Sequence, residues 1–413
     1  MPHSKTPIAG NGLLDRRLFL QTGLALSLAP IVVQASYRPD YMSLPGAPLN
    51  PYGKPSNFED KVTRGGISSQ PGTMGSGASR TPLQHLQGTM TPSGLHFERH
   101  HAGIPDIDPD QHTLTVHGKV RQPLRFSLHN LGRYPMVTFT KFLECSGNSA
   151  AALSEEALDV DCSRIHGLVS QSEWTGVPVS YLLDEAGLDP SAQWVIAEGA
   201  DAPMMNRSIP LEKMLDDAIV ALYQNGERIR PEQGYPMRLF LPGFEGNASV
   251  KWLHRLEVSD IPAMSRQETS KYTDRRSDGR SEVFTFEMSV KSTITSPSPG
   301  LQLTEKGIYQ ISGLAWSGRG AIRSVEVSAD GGKSWAEAEL VTEPGVQALT
   351  RFRIPWHWQG QPAVIVSRAR DDQGVQPSRD EWLAKQGSES FYHYNATQAW
   401  RIDERGQAKN VYL

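Results

Sequence analysis

The chain has 413 residues, and 41 Lys and Arg against 45 Asp and Glu give a formal net charge of −4 at pH 7. This mildly acidic balance argues against a nucleic-acid partner, because such partners select basic surfaces. Two cysteines and no C-x-x-C-H segment exclude a disulfide framework, an iron–sulfur cluster, a structural zinc site and an attached c-type haem.

The first predicted element is an export signal at residues 1–35. Arg16 and Arg17 in "DRRLFL" precede the apolar run "LALSLAPIVV", and the small residues that follow suit cleavage after Ala35. Paired arginines before a short hydrophobic region are typical of a twin-arginine signal. The run is shorter than the roughly 20 residues that span a bilayer. We therefore expect export in the folded state to the periplasm, without a membrane span; the alternative is a short buried helix that follows two arginines.

Residues 36–95 are rich in Pro, Gly, Ser and Thr and predict an extended arm without its own core. Ordered structure is expected from "HFERHHAGIPDIDP" onward. Residues 96–284 then alternate between strand patterns ("HTLTVHGKV", "MVTFTKFLEC", "QWVIAEGAD", "YPMRLFLPG", "VKWLHRLEVSD") and helix patterns ("PVSYLLDEAGL", "PLEKMLDDAIVALY"). These patterns predict a mixed α/β domain.

Residues 285–413 have a different sequence pattern. Short β segments such as "GIYQISGLAWSG", "IRSVEVSADGGKSW" and "PAVIVSRARDDQG" recur with Gly, Pro and Asp turns between them. This spacing predicts an all-β, immunoglobulin-like sandwich. The predicted fold class of the whole chain is therefore α+β.

Cys145 stands out because it lies between a predicted strand and a Gly-Asn turn, in "FLECSGNSA". A structural cysteine more often lies within an apolar run. A lone thiolate is a metal ligand or a nucleophile. A nucleophile needs a histidine base, and the spacing of His101, His166 and His393 does not favour that function. A disulfide between Cys145 and Cys162 is a further alternative.

The order of motifs around Cys145 resembles that of the sulfite oxidase family of molybdenum enzymes. "FERHHAGIPDIDP" precedes the cysteine, and "EWTGVPVSYLLDEAGL", "GYPMRLFLPG", "VKWLHRLEV", "LAWSG" and "VSADGGKSW" follow it. Within that family, "GLHFERHHAGIPDIDP" and "ETSKYTD" resemble the sulfane dehydrogenases. The resemblance, which covers about residues 96–413, implies the sulfite oxidase fold, a C-terminal dimerisation domain and one Mo-molybdopterin per chain. It also implies that Cys145 is the metal ligand and Cys162 a buried or free thiol.

The resemblance assigns cofactor binding to residues from several motifs. Arg238 and residues 249–251 would hold the pterin phosphate and amide edges, since Arg and Lys form strong charge-assisted hydrogen bonds with phosphate. Taken alone, Arg238 would be interpreted as a surface arginine. The cofactor-binding residues implied in this way are Phe97, Glu98, Arg99, His100, His101, Asp201, Gln233, Arg238, Ser249, Val250 and Lys251.

The residues implied on the substrate side are Arg99, Tyr272, Trp174 and His393. Arg99 would face substrate oxygens and Tyr272 would donate a hydrogen bond. Trp174 matches a pocket tryptophan, with ordinary core packing as the alternative. His393 is the nearest candidate for a C-terminal pocket arginine of the family.

The same resemblance shows where this chain departs from sulfite oxidases. Ser149 and Ala150 stand where those enzymes carry arginine, so free sulfite should bind less well. The implied substrate is sulfane sulfur on a carrier-protein cysteine, and the implied electron acceptor is a periplasmic cytochrome c. A homodimer through the C-terminal domain and a hetero-oligomer with the cytochrome both stay open. The alternatives are a periplasmic sulfite dehydrogenase and a non-catalytic binding module; a related reductase is disfavoured because it lacks the C-terminal domain.

Overall fold

The computed structural model describes residues 7–15, 42, 45, 48–69, 73–341 and 343–413. The arginine pair Arg16 and Arg17 and the predicted cleavage site at Ala35 lie outside these residues. Within the described ranges, we find no helix with the length and apolar character that crossing a membrane requires.

The first sheet begins earlier than the sequence pattern predicts. Its antiparallel strands, in the order β1-β2-β3, are Gly65–Ser69, Gly77–Arg80 and Glu98–His100. Thr81, just after β2, donates its N–H to the carbonyl of Gly167 at 2.9 Å, and its hydroxyl lies 2.6 Å from that of Ser170. These contacts hold the end of the proline- and glycine-rich region against the following domain.

Two five-stranded sheets form the mixed domain. One has the order β11-β10-β7-β6 with β12 also on β10, and the other has the order β5-β4-β13-β8-β9 with a single parallel pair, β4 and β13. The strands, from β4 to β13, are Thr113–Gly118, Leu124–Ser127, Val137–Glu144, Val169–Pro178, Trp194–Gly199, Asn206–Pro210, Ile219–Gln224, Glu227–Arg228, Arg238–Phe240 and Leu253–Ser259.

The helices of this domain are short. From α1 to α5 they are Leu128–Leu131, Cys162–His166, Val179–Ala186, Leu211–Asp216 and Arg266–Thr269. The pattern "PLEKMLDDAIVALY" predicts one long helix, and this prediction is wrong in its second half. Helix α4 ends at Asp216, and the apolar β-branched run that follows is strand β10, because it pairs on both sides with other strands.

The C-terminal region contains a β sandwich, as predicted. After a short hairpin (β14, Asp274–Arg275; β15, Ser281–Glu282), a four-stranded sheet in the order β16-β17-β21-β20 faces a five-stranded sheet in the order β19-β18-β22-β23-β24. From β16 to β24 the strands are Lys291–Ser296, Gly307–Trp316, Ser324–Ser328, Ala336–Glu337, Glu339–Leu340, Thr350–Trp358, Ala363–Arg370, Ala399–Ile402 and Ala408–Val411. One helix, α6 (Arg379–Gln386), lies between β22 and β23.

The sandwich and the mixed domain share a hydrophobic core. The buried cluster that contains Trp316, Trp356 and Trp400 of the sandwich also contains Phe142 of β6 and Ile165 of α2. Strand β6 therefore ends where the two domains meet, and the residue after it is Cys145. The predicted combination of a mixed domain and an all-β domain is confirmed.

Candidate active site

The ends of β3, β6 and β12 and the segment before β13 surround a cavity. All the residues predicted to bind the cofactor line it, together with Cys145 and Tyr272. Trp174 and His393 do not line it. The lining residues that the sequence did not indicate are Leu143, Met205, Gly246, Asn247 and Trp252.

Cys145 is held by its backbone at the end of β6. Its N–H donates to the carbonyl of Leu168 at 2.9 Å, and its own carbonyl accepts from the N–H of Asn148 at 2.8 Å. Burial raises the pKa of the thiol, and the N–H of Gly147 and the charge of Arg99 oppose that rise. The thiol is free, as is the buried thiol of Cys162, so the disulfide alternative is not formed.

Glu144 anchors the cysteine segment to the sandwich. Its carboxylate accepts hydrogen bonds from Lys291 Nζ at 3.1 Å, from Trp316 Nε1 at 2.6 Å and from Asn148 Nδ2 at 2.8 Å. The side chains of Glu144 and Lys291 are only 1% and 2% exposed. The backbone of Gly246 passes so close that an added Cβ would lie 2.9 Å from the carbonyl oxygen of Glu144. A side chain at position 246 would therefore displace the strand end that carries the thiol.

The opposite wall of the cavity is basic. Lys251 Nζ donates to the carbonyls of Arg99 and Glu232 at 3.1 and 3.2 Å and lies 2.8 Å from His100 Nδ1. Burial, with a contribution from Arg238, lowers the pKa of Lys251 well below its ordinary value. A buried amine in this state gains most from an anionic ligand, because the ligand restores the preference for the charged form.

Arg238 reaches the same wall from strand β12. Its two terminal nitrogens donate to the carbonyls of Gln233 and Ser249 at 3.0 and 2.8 Å. Burial lowers the pKa of its guanidinium to about 9. Its Nε, and also Oδ1 of Asn247, are buried and find no hydrogen-bond partner among the described residues. Unpaired buried polar atoms at a cavity wall indicate that a ligand completes the site.

Tyr272 closes the cavity near the thiol. Its hydroxyl lies 3.0 Å from His101 Nε2, and its ring lies over the buried guanidinium of Arg207, 5.2 Å from it. Burial raises the pKa of Tyr272, with the Cys145 charge as the next contribution, so the hydroxyl keeps its proton. Burial lowers the pKa of His101 to about 4, so that its ring is neutral near pH 7. The tyrosine thus remains available as a hydrogen-bond donor.

Trp174 lies behind the cavity wall and not in it. Its ring is buried in the core, stacks on Phe240 at 4.6 Å and lies 5.4 Å from the Arg238 guanidinium. These contacts are those of the core-packing alternative, and the predicted pocket position of Trp174 stays a prediction. The alternation of side chains along β7 directs Trp174 to the inner face of the sheet. At that position the indole ring packs against the Arg238 guanidinium.

His393 also lies outside the cavity lining, where its side chain contacts two carboxylates. Its Nε2 lies 3.3 Å from a carboxylate oxygen of Glu245 and 3.9 Å from one of Asp274. Burial lowers the pKa of His393, but Glu245 and Asp274 outweigh that effect and raise it. Its backbone N–H donates to the carbonyl of Ser146 at 2.9 Å. In this structure His393 thus faces two carboxylates, and its predicted replacement of a pocket arginine stays a prediction.

Comparisons with known proteins agree with this architecture. Residues 101–267 match the family described as "Oxidoreductase molybdopterin binding domain", and residues 282–399 match the "Mo-co oxidoreductase dimerisation domain". The mitochondrial sulfite oxidase of Mus musculus is 31% identical over 73% of this chain and 59% of its own length. The NADH nitrate reductase of Ulva prolifera is 29% identical over 74% of this chain and 40% of its own. The chain thus spans between about two fifths and three fifths of these relatives.

A solved structure is similar over a larger share. The crystal structure of the sulfane dehydrogenase SoxCD from Paracoccus pantotrophus matches with 41% sequence identity and a TM-score of 0.89, covering 92% of this chain and 98% of that chain. With the thiol and the basic wall around one cavity, these findings define the class: this chain belongs to the sulfite oxidase family of molybdopterin oxidoreductases. Its cofactor is Mo-molybdopterin.

The cavity fits this cofactor. At one end of the cavity, Lys251 and the unpaired Arg238 Nε offer a cation and a donor to a phosphate. The unpaired Asn247 Oδ1 offers an acceptor beside the cysteine segment, where Asn247 Nδ2 donates to the Ser146 hydroxyl at 3.1 Å. The Cys145 thiol, at the other end, offers the soft sulfur that a redox-active metal accepts. When bound, the molybdenum supplies the redox step, and the residues of this chain place the substrate beside it.

Proposed function

We propose that this enzyme oxidises sulfane sulfur attached to a cysteine of a carrier protein. The observation that carries this proposal is the shortage of free cations at the thiol end of the cavity. Arg99 lines the cavity there, whereas His393 is balanced by Glu245 and Asp274. The similarity to the sulfane dehydrogenase SoxCD supports the same substrate.

Ser149 and Ala150 stand where sulfite oxidases carry an arginine after the cysteine, and neither lines the cavity. The Ser149 hydroxyl accepts from Lys291 Nζ at 2.6 Å and lies 2.7 Å from His166 Nδ1, and Ala150 begins a short 3-10 helix. At the thiol end a small dianion would find Arg99 as the lining arginine, because the nearby Arg207 does not line the cavity and is paired with Glu245 and Glu268. A substrate tethered to a carrier tolerates the loss of further arginines, because contacts between the two proteins supply binding energy far from the sulfur.

Each residue then has a defined task. The Arg99 guanidinium orients the oxygens that the sulfur gains, and Tyr272 donates a hydrogen bond to one of them. The neutral His101 ring, 3.0 Å from the tyrosine hydroxyl, fixes the direction of that donor. Each oxygen taken from water leaves two protons and two electrons to be removed, and the electrons need an acceptor outside this chain. We propose a periplasmic cytochrome c as that acceptor and association through the dimerisation domain.

Steady-state kinetics on one preparation test the substrate. We expect good turnover with carrier-bound sulfane sulfur and a cytochrome c acceptor, and poor saturation with free sulfite. Each lost charge-assisted hydrogen bond is worth about 1.5–3 kcal/mol. Two such losses therefore weaken sulfite binding about a hundredfold or more, since about 1.4 kcal/mol is a factor of ten.

Tight and fast use of free sulfite, with no response to the carrier, would instead identify a sulfite dehydrogenase. The similarity to mitochondrial sulfite oxidase is the observation that favours this second candidate. Molybdenum and pterin analysis of the same preparation is the control, since a chain purified without them cannot be scored for either substrate.

Export is a second proposal with its own test. We expect the double variant Arg16→Lys, Arg17→Lys to accumulate as precursor in the cytoplasm, because a twin-arginine signal is read by its receptor as an address. Fractionation and immunoblotting measure this. The double variant Arg405→Lys, Lys409→Arg, at the far end of the chain, is a matched control that should be exported normally. An unchanged periplasmic yield of the signal variant would mean that residues 1–35 do not form this signal.

A further inference from the structure

Residues 8–14, immediately before the arginine pair, lie on the edge of the sandwich. Leu13 forms an antiparallel bridge with Trp356 of β21, and the N–H of Leu14 donates to the carbonyl of Pro355 at 3.1 Å. Strand β20 pairs with β21 only at residues 352 and 353, so the later part of this edge is open to another strand. The segment 8–14 extends the sheet there.

The contacts of this segment involve side chains as well as backbone. Asn11 donates from Nδ2 to the carbonyl of Ala329 at 2.8 Å, accepts at Oδ1 from Gln361 Nε2 at 3.0 Å, and accepts at its carbonyl from Trp356 Nε1 at 2.8 Å. The N–H of Gly10 donates to the Ser334 hydroxyl at 2.6 Å. Four polar groups of Gly10 and Asn11 thus have hydrogen-bond partners in the sandwich.

The fit is also steric. Leu13 is 0% exposed and belongs to the sandwich core, and Leu14 is 7% exposed. At Gly12, which has a φ of +94°, an added Cβ would lie 2.3 Å from the carbonyl oxygen of His357. At Gly10, an added Cβ would lie 2.1 Å from a carboxylate oxygen of Asp330. The two glycines lie where the segment approaches the sandwich closely, and the leucine is buried in it. The surface of the sandwich that contacts residues 8–14, which we call the socket, therefore fits this sequence.

We propose that this socket is a binding site for residues 8–14 of the precursor, which fastens the export signal to the folded sandwich. Its elements come from β21 and from the loops at 329–334 and 361–362, so only a folded C-terminal domain can form it. Residues 8–14 can therefore dock only after the C-terminal domain has folded. Docking thus couples the folding of that domain to whether the export signal is fastened or free. Withdrawal of the segment by the export machinery would open the β21 edge to another strand. The link to export rests on the signal proposed above, whereas the docking does not.

Limited trypsin digestion of the full-length precursor tests the docking. Cleavage at Arg16 and Arg17, followed by mass spectrometry, is expected to be about tenfold faster or more in Leu13→Asp than in the parent chain, because a buried leucine is lost from the contact. Ile8→Asp is the matched control: Ile8 lies in the same segment but is 43% exposed, and its cleavage rate should stay near the parent value.

A second measurement tests whether the socket binds the segment as a separate peptide. A peptide with the sequence of residues 5–18, added to full-length Leu13→Asp, should bind saturably and change the tryptophan fluorescence. The same peptide carrying Asn11→Ala or Leu13→Asp should bind at least about tenfold more weakly. Equal trypsin rates in the parent and Leu13→Asp chains, together with no saturable peptide binding, would overturn the proposal. Neither readout requires sulfur oxidation, so a failure of the substrate proposal would leave the result unchanged.

Discussion

Replacing Cys145 with serine is expected to reduce turnover to background while the chain stays folded and keeps its pterin. The backbone of residue 145 is fixed by hydrogen bonds to Leu168 and Asn148 that serine can also form. The groups at the opposite wall, Lys251 and Arg238, are untouched and still hold the phosphate end of the cofactor. An alcohol, in contrast, is a poor ligand for a metal that prefers soft sulfur. Activity, molybdenum content and pterin content measured on the same sample separate these effects.

Cys162→Ser is the matched control for this experiment. Cys162 lies at the start of α2 with 0% exposure, and its thiol is 3.8 Å from the carbonyl of Ile294, which is too far for the shorter serine side chain to form a full hydrogen bond. We expect nearly normal turnover and a small loss of stability, of about 1–3 kcal/mol for a newly buried hydroxyl. Normal turnover in Cys145→Ser, or loss of turnover in Cys162→Ser alone, would contradict the ligand assignment.

The sequence was informative about the site where the relevant residues form contiguous motifs. The segments around Phe97, Cys145 and Lys251 each contribute neighbouring residues to one cavity, and the resemblance of these motifs to the sulfite oxidase family predicted that they meet. Trp174 shows the limit of this reasoning. A motif gives the position in the chain, but the face of the strand decides between pocket and core, and β7 is buried on both of its faces.

Long-range partners could not be predicted in the same way. Glu144 and Lys291 are 147 positions apart and belong to different domains. Lys291 begins a strand, "KSTITS", whose other residues are uncharged, and an isolated lysine there could equally well have faced solvent. Similarly, the run after Asp216 continued a helical pattern, and only its position between two strands made it β10. In each case tertiary contacts overrode the local signal.

Replacing Lys291 with methionine is expected to destabilise the protein strongly and to slow turnover. The change leaves the Glu144 carboxylate buried without its cation, and removing one partner of a buried pair typically costs about 3–5 kcal/mol. Glu144 immediately precedes the thiol, so the loss should also shift Cys145 relative to Arg99. A displacement near 1 Å can cost on the order of a hundredfold in rate. Thermal denaturation and steady-state turnover measure the two effects.

A second substitution separates the effect of the unpaired Glu144 charge from the effect on the position of the cysteine segment. In the double variant Lys291→Met, Glu144→Gln the buried charge is gone, and the amide oxygen can still accept from Trp316 Nε1, while the bond from Asn148 Nδ2 is lost because an amide NH2 does not accept. We therefore expect the double variant to be more stable than Lys291→Met alone and to regain part of its turnover. The exposed pair Lys119 and Asp260, 2.8 Å apart, provides the matched control, and Lys119→Met should leave stability and turnover unchanged. If Lys291→Met behaved like Lys119→Met, the Glu144–Lys291 pair would not be what positions the cysteine segment, and the apolar core that Phe142 shares with the sandwich would do so instead.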